Sequence, residues 1–362
     1  LITPMNRSGS VDWPALEQLV EYHIQAGTDA LVVAGTTGES VTLSEDELFT
    51  LFDRTLEYCN GRIPVIAGCG SNNTAHAKEL AKQISKLGVT AGLSVTPYYN
   101  KPTQEGIYQH FKAIATASDL PIILYNIPGR VVTEIQVETI LRLAELENVI
   151  AIKECTNTDN LAYLIEKLPK DFLVYTGEDG LAFHAKALGG QGVISVASHI
   201  LGQEFFEMFA EIDQGSIQKA AAIQRKILPK INALFSVTSP APIKTVLNAK
   251  GYEVGGLRLP LVACTTEESK IILEIEQISQ IDSITSRLPI LRRASPILSL
   301  WQEILSSARL PETSAITISF SETGEAAIWY CMPRQKQKNL KKILPRLISN
   351  NYRPVCETKG SI

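Results

Sequence analysis

No run of apolar residues in this sequence approaches the length needed to cross a bilayer. Runs such as ALVVAG at 30–35 and PIILY at 121–125 stop at five or six residues where about 20 are required. Cysteine is sparse. The six cysteines (Cys59, Cys69, Cys155, Cys264, Cys331 and Cys356) share no short paired spacing, which argues against a zinc-ligand set and a secreted disulfide framework and points to a reducing compartment. The five histidines (His23, His76, His110, His184 and His199) also lack paired ligand spacing, so no metal site is expected. Charge has no strong bias: the formal net is -4, and no acidic or basic block interrupts the first three quarters. Neither nucleic acid nor an anionic membrane is therefore an expected partner, and a small molecule is the default ligand. Internal repeats, low-complexity tracts and a signal peptide are also missing. The chain opens at Leu1 inside a strand-like segment, so a native start is expected further upstream. The cytoplasm is the expected compartment, with organellar targeting left open.

What is present is a large apolar fraction in short, recurring runs. Hydrophobic residues make up 45% of the 362, ample for one large domain with an appendage. Runs rich in Val and Ile occur at 30–34, 64–67, 92–95, 121–125, 149–153, 173–175 and 192–196, the pattern of strands buried on both faces. Amphipathic segments separate them. SEDELFTLFDRTLEYC opens with a capping box, Ser44 followed by Glu47, and TAHAKELAKQISKLG runs from Thr74 to a stop at Gly88. With LITPM as the end of a truncated first strand, the alternation predicts eight strands in an α/β fold, a (β/α)8 TIM barrel over residues 1–200. An open doubly wound sheet is the alternative. A C-terminal helical extension is predicted over 201–280. From about Ile281 basic residues outnumber acids, SAITISFSETGEAAIWYC reads as two strands around a Gly-containing turn, and KNLKKILPRLIS reads as a basic helix interrupted by Pro345. Residues 281–362 are thus expected to be a small basic α+β appendage or an extra tail.

In a barrel, chemistry gathers at the carboxyl ends of the strands and in the loops that follow. The segment NVIAIKECTN ends its oily run at Lys153. Strict alternation puts Val149, Ala151 and Lys153 towards the axis and Ile150 and Ile152 towards the helices. A lysine buried without a partner favours the neutral amine, a nucleophile able to form a Schiff base with a ketone. Paired with Glu154 instead, the same lysine would be an ordinary structural ion. Other strand ends bear on that choice. GTTGES at 35–40 joins Gly35 and Gly38, which permit close backbone approach, to the hydroxyls and amides of Thr36 and Thr37, which suit a small carboxylate. TPYYNKPTQEG carries Tyr98 and Tyr99, and YNIPGR carries Tyr125 and Arg130. Phenol and threonine hydroxyls can relay the protons that imine and enamine formation need, and Arg130 can grip a second carboxylate in a bidentate way. Amphipathic packing and a capped surface loop are the plainer readings of these tyrosines and this arginine.

Together with IKE and GGQGVISV, these segments stand in an order and spacing that resemble the dihydrodipicolinate synthase family of class I pyruvate aldolases, over residues 1 to about 278. The resemblance implies the TIM barrel and a condensation of pyruvate with aspartate semialdehyde on the route to lysine and diaminopimelate. It implies Lys153 as the Schiff-base lysine, with Thr37, Tyr99 and Tyr125 as a proton relay in which Tyr99 reaches the neighbouring subunit's site. Thr36 and Thr37 would hold the pyruvate carboxylate and Arg130 that of the semialdehyde, while the backbone around Gly177 and Ile194 would line the pocket. It implies no cofactor beyond the covalent Schiff base, no metal, and a homodimer or homotetramer.

In lysine-inhibited members of the family, a dimer-interface pocket aligns with Ser40, Glu45, Leu48, Asn72, His76 and Tyr98. Ser40, Asn72 and Tyr98 fit that pattern. Leu48 replaces a polar residue and His76 stands where an acid grips the ligand's ammonium, so feedback by lysine is expected to be weak. Two alternatives compete with the synthase reading: a related aldolase for N-acetylneuraminate or a 2-keto-3-deoxy sugar acid, and an inactive barrel kept as a ligand sensor or scaffold. Arg130 suits a second small carboxylate better than a long polyol, and the joint presence of Lys153, Thr37, Tyr99 and Tyr125 favours an active enzyme.

Overall fold

The computed structural model describes residues 1–277, 315–320 and 326–331. Seven strands, β1 (Leu31–Val33), β2 (Val65–Gly68), β3 (Ala91–Val95), β4 (Ile122–Asn126), β5 (Val149–Glu154), β6 (Leu173–Thr176) and β7 (Gly192–Val193), form one parallel sheet in chain order. Helices follow each strand. The order never reverses, whereas a doubly wound sheet requires a switch point, so the architecture is the β/α barrel type.

Residues 1–5 do not form the expected strand. Their one ladder contact is an isolated bridge between Met5 and Val11. The backbone groups go elsewhere: the Leu1 nitrogen donates to the Val32 carbonyl of β1 (2.7 Å), the Ile2 amide to His199 Nε2 (3.1 Å) and the Met5 amide to the Val254 carbonyl (3.0 Å). The segment thus bonds to β1 on one side and to the helix after β7 on the other, with single hydrogen bonds in place of a ladder.

Two apolar layers hold the sheet. Phe52, Ile84, Phe111, Leu124 and Ile152 belong to the layer between sheet and helices, and Leu93, Ile123, Tyr125, Ala151 and Cys155 form an inner cluster. The inward and outward alternation of β5 slips once. Ile122 pairs with Val149 and Ile123 with Ala151, so Ile150 is left over as a bulge. Val149 consequently packs with the helices and Ile150 against the inner cluster, the reverse of strict alternation, while from Ala151 onward the alternation holds.

Helices Ser198–Asp213, Ile217–Leu234, Ala241–Ala249 and Thr266–Gln277 form the extension. Leu201, Met208, Ile227, Ile231 and Leu247 share a core with Ile2, Leu19 and Ala182, and Leu1–Ser279 is one compact unit. The capping box at Ser44 is present: Ser44 Oγ accepts from the Glu47 amide (3.2 Å) and the Ser44 amide donates to Glu47 Oε2 (3.0 Å). Such a cap stabilises a helix by about 1 kcal/mol. Helix Thr74–Ile84 ends earlier than its sequence pattern, with residues 85–88 turning back through Gly88 at φ 89°. A second unit, Gln280–Ile362, contains the expected pair of strands, β8 (Ala315–Phe320) and β9 (Ala326–Cys331), antiparallel with Ala315 opposite Cys331 and Phe320 opposite Ala326. The expected basic helix around Pro345 and the rest of the tail lie outside the described residues.

Candidate active site

Because the seven strands run the same way, their carboxyl ends open on one face, and residues in register there become neighbours. At one level Val95, Tyr125, Lys153, Tyr175 and Gly192 stand side by side across β3 to β7. Lys153 lies two residues beyond Ala151 and so projects inward, half-buried. Its Nζ sits 4.3 Å from the centroid of the Tyr125 ring, a cation–π distance. Among the described residues no carboxylate lies within ion-pair distance of it.

The alternative pairing with Glu154 is not realised. Glu154 points to the opposite face of β5 and is buried, and both its oxygens accept from Asn126 Nδ2 (3.2 and 3.0 Å). Burial pushes its carboxyl up to about 7, with the Asn126 hydrogen bond opposing. Burial likewise pushes the Cys69 and Cys155 thiols up to about 12, so neither offers a thiolate near neutral pH.

The ends of β6 and β7 close around the lysine. The Gly177 amide donates to the Glu154 carbonyl (2.8 Å) and the Ile194 amide to the Thr176 carbonyl (2.9 Å), extending the ladder past the last strand residues. A Cβ on Gly177 would lie 2.4 Å from Lys153 Cε and 2.3 Å from Cys155 Sγ, so only glycine leaves room for the lysine stem. β7 stops after Val193 rather than running to Val196. The reason is Asp179, a fully buried carboxylate that accepts from Ser195 Oγ and from the amides of Val196 (3.2 Å) and Ala197 (2.9 Å), turning the chain away from the ladder. Burial raises the Asp179 carboxyl, opposed by those hydrogen bonds and by the charge of Lys153.

At the end of β1 the chain makes a tight turn, with the Gly38 amide donating to the Gly35 carbonyl (3.1 Å) and the Glu39 amide to the Thr36 carbonyl (3.1 Å). Thr36 is exposed and Thr37 half-buried. Arg130 is exposed on the short helix Pro128–Val131 after β4. Burial and Asp179 raise the Glu178 carboxyl while Lys153 and Arg130 oppose them, which puts both cations within electrostatic reach of one residue.

Tyr99 stands apart. Its backbone is left-handed (φ 73°) and its side chain 90% exposed. The loop is nonetheless braced, since Asn72 Nδ2 donates to the Tyr98 carbonyl (3.1 Å) and Asn100 Nδ2 to the Asn72 carbonyl (3.0 Å). No direct hydrogen bond joins the hydroxyls of Thr37, Tyr99 and Tyr125 within the one chain. Of the residues expected at a lysine pocket, Asn72 and Tyr98 meet, His76 Nδ1 lies 3.9 Å from Glu45 Oε1, and Ser40 opens a separate turn, Ser40–Thr42.

The sequence reading passed over three residues. Tyr175 flanks Lys153 in register opposite Tyr125, and alternation within LVYT would have placed it inward with Leu173. Asp179 shapes the β7 exit, and Glu39, inside the quoted GTTGES, is fully buried behind the turn. Neither carries a local signal, because their partners lie far along the chain. Among the described residues no three His, Cys, Asp or Glu side chains gather in a metal-binding cluster.

The profile of the Dihydrodipicolinate synthetase family matches residues 1–278. The chain is 78% identical over 275 residues to a 4-hydroxy-tetrahydrodipicolinate synthase of Lactococcus lactis subsp. lactis, covering 76% of this chain and 93% of that one. It is 56% identical over 279 residues to the synthase of that name from Enterococcus faecalis, covering 77% and 96%. A crystal structure of a dihydrodipicolinate synthase from Bacillus anthracis superposes with TM-score 0.76 at 44% identity, over 77% of this chain and 96% of that one. The structure of the Cyanidioschyzon merolae enzyme with lysine bound superposes with TM-score 0.75 at 40% identity, over 76% and 94%.

Proposed function

The chain belongs to the dihydrodipicolinate synthetase family, and from that premise we propose how its residues divide the work of the reaction. It is a lyase of the class I aldolase type that condenses pyruvate with L-aspartate 4-semialdehyde to 4-hydroxy-tetrahydrodipicolinate, in lysine and diaminopimelate biosynthesis.

Lys153 is the nucleophile. Its amine adds to pyruvate C2 and water leaves, giving a protonated imine that acts as an electron sink. The pyruvate methyl then gives up a proton, and the resulting enamine carbon bonds to the aldehyde carbon of the second substrate, whose oxygen takes up a proton. Finally the amine of the joined product attacks C2, closes the ring and displaces Lys153. Thr36 and Thr37 hold the pyruvate carboxylate, Arg130 holds the carboxylate of the semialdehyde, and the Gly177 and Ile194 backbone lines the site. Tyr125, with Thr37 and with Tyr99 of a second copy, carries the protons. The Schiff base to substrate serves in place of a separate cofactor or metal.

The observation that carries this reading is the inward amine of Lys153 over Tyr125, with no acid partner among the described residues and with room left by Gly177. Borohydride reduction with pyruvate, followed by peptide mass mapping, tests it. An adduct is expected on the Lys153 peptide, and folded protein that stays unmodified there rejects the reading.

The braced but exposed Tyr99 supports a working homodimer, or a tetramer of two such pairs. No helix among the described residues is long and apolar enough to cross a membrane. Free, buried Cys59, Cys69 and Cys155 suit a cytoplasmic setting. With His76 and Leu48 in place of polar or acidic grips, feedback by lysine is weak; half-inhibition at low micromolar lysine would overturn that expectation.

A further inference from the structure

Behind the turn that carries Thr36 and Thr37 lies an ion pair with no access to water. Glu39 follows that turn directly, with its backbone in the left-handed region (φ 55°). Its side chain is 0% exposed and that of Lys244 is 1% exposed, with Lys244 Nζ 2.6 Å from Glu39 Oε1. Each partner is also bonded to backbone. Lys244 Nζ also donates to the Gly256 carbonyl (2.6 Å), and Glu39 Oε2 accepts from the Arg258 amide (3.1 Å). The Arg258 guanidinium in turn makes a bidentate pair with Glu47 (2.7 and 2.5 Å) and donates to the carbonyls of Thr42 (2.7 Å) and Gly9 (2.8 Å).

This network ties together segments that the chain order separates by about 200 residues, since Glu39 and Lys244 are 205 positions apart. The link to the turn is short. The Glu39 amide bonds to the Thr36 carbonyl (3.1 Å), Thr42 Oγ1 bonds to the Glu39 carbonyl (3.0 Å), and Thr3 Oγ1 bonds to the neighbouring Gly38 carbonyl (2.7 Å). A buried ion pair adds little net stability over an apolar pair of similar volume, because desolvation offsets the attraction. What it does supply is direction: both charges must stay in register with each other, and the backbone that carries Glu39 must stay with them.

We propose that Glu39 and Lys244 are positioning residues for the carboxylate-binding turn. Lys244, on helix Ala241–Ala249 of the extension, holds Glu39 from behind and so fixes where the hydroxyls and amides of Thr36 and Thr37 meet pyruvate. The extension therefore sets the affinity for the first substrate from behind the turn, through Lys244. The proposal rests on the assignment of Thr36 and Thr37 to the pyruvate carboxylate.

The test uses the full-length chain in two variants. Glu39→Gln with Lys244→Met removes both charges at nearly constant volume and keeps an acceptor for the Arg258 amide. Glu39→Asp keeps both charges but draws the carboxylate back by one methylene, which covers the case in which the double variant fails to fold. Each is compared with wild type in thermal midpoint, in the pyruvate dependence of borohydride trapping at Lys153, and in KM for both substrates. Half-saturating pyruvate is expected to rise about tenfold or more in the double variant and about threefold or more in the Asp variant, with KM for the semialdehyde within about twofold. A folded variant with unchanged pyruvate half-saturation, or an equal rise for both substrates, overturns the proposal. Failure to trap the wild type is a distinct outcome, which removes the Lys153 reading and this inference with it.

Discussion

Lys153 at the end of β5 and Lys244 on helix Ala241–Ala249 belong to one compact unit, yet their surroundings are opposite. Lys244 is sealed from water with Glu39 and the Gly256 carbonyl around it; burial lowers its pKa and the Glu39 contact opposes that shift. Lys153 is half-buried and has an aromatic face in place of a carboxylate. The difference separates a lysine enclosed by its partners from the one proposed as nucleophile. Lys244, donating to a carboxylate and a carbonyl inside the fold, has no free approach. Lys153, half-buried beside a glycine that leaves space for its stem, has the open side that the proposed reaction needs.

Substitutions should split the two along that line. The largest effect is on catalysis: Lys153→Ala lowers kcat by on the order of a thousandfold or more, with little change in the urea midpoint, as judged by steady-state rates and equilibrium unfolding. A midpoint loss comparable to that of a Lys244 variant would break the contrast. Lys244→Ala leaves Glu39 buried and unpaired and costs about 3–5 kcal/mol of unfolding free energy in the same urea titration. Gly177→Ala sharpens the picture of the open side. Its Cβ meets the Lys153 stem at 2.4 Å, and kcat/KM is expected to fall about 10–100-fold at a cost of about 1–3 kcal/mol in stability.

An effect visible only as a pH dependence concerns Glu154, the residue next to Lys153 that faces the other way. Its carboxyl is raised from the ordinary 4.5 to about 7 by burial, so between those values the native state binds more protons than the unfolded chain. Its contribution is therefore full below pH 4.5 and is lost as pH rises through about 7. Glu154→Gln lacks this slope, so its stability relative to wild type should grow by on the order of 3 kcal/mol between pH 4.5 and 8, read from urea midpoints across that range. A flat difference would show that Glu154 is ionised throughout.

Most of the strand pattern was legible because runs such as PIILY and FLVYT are short, apolar and bounded by turn residues. The capping box at Ser44 was legible for the same reason, being a contact between residues three apart. Ile150 was not. Its bulge arises from how β4 and β5 meet, and nothing local in NVIAIKE distinguishes a bulged isoleucine from a regular one. The strand expected at LITPM failed on similar grounds, since a strand requires a partner with which to form a ladder, and residues 1–5 spend their hydrogen bonds on β1, His199 and Val254. Tyr125 and Lys153 stand at the carboxyl ends of β4 and β5 as their strand positions suggested, whereas Gly177 and Ile194, which follow β6 and β7, were expected near them only through the family likeness. The exposure of Tyr99 was legible only through the family likeness, because a tyrosine in a sequence carries no mark of whether it faces its own core or a second copy.

The sequence by itself determined the parallel alternation of strand and helix, the amine at a strand end and the hydroxyl-rich turn, because each depends on residue type and on spacing within a few positions. Tertiary structure alone decided that Lys153 has no carboxylate within ion-pair distance among the described residues, that Gly177 must be bare to admit it, and that Glu39 is gripped by Lys244 across 205 positions. Charge pairing and close packing act over a few ångströms in space, and distance along the chain says nothing about which groups will come that near.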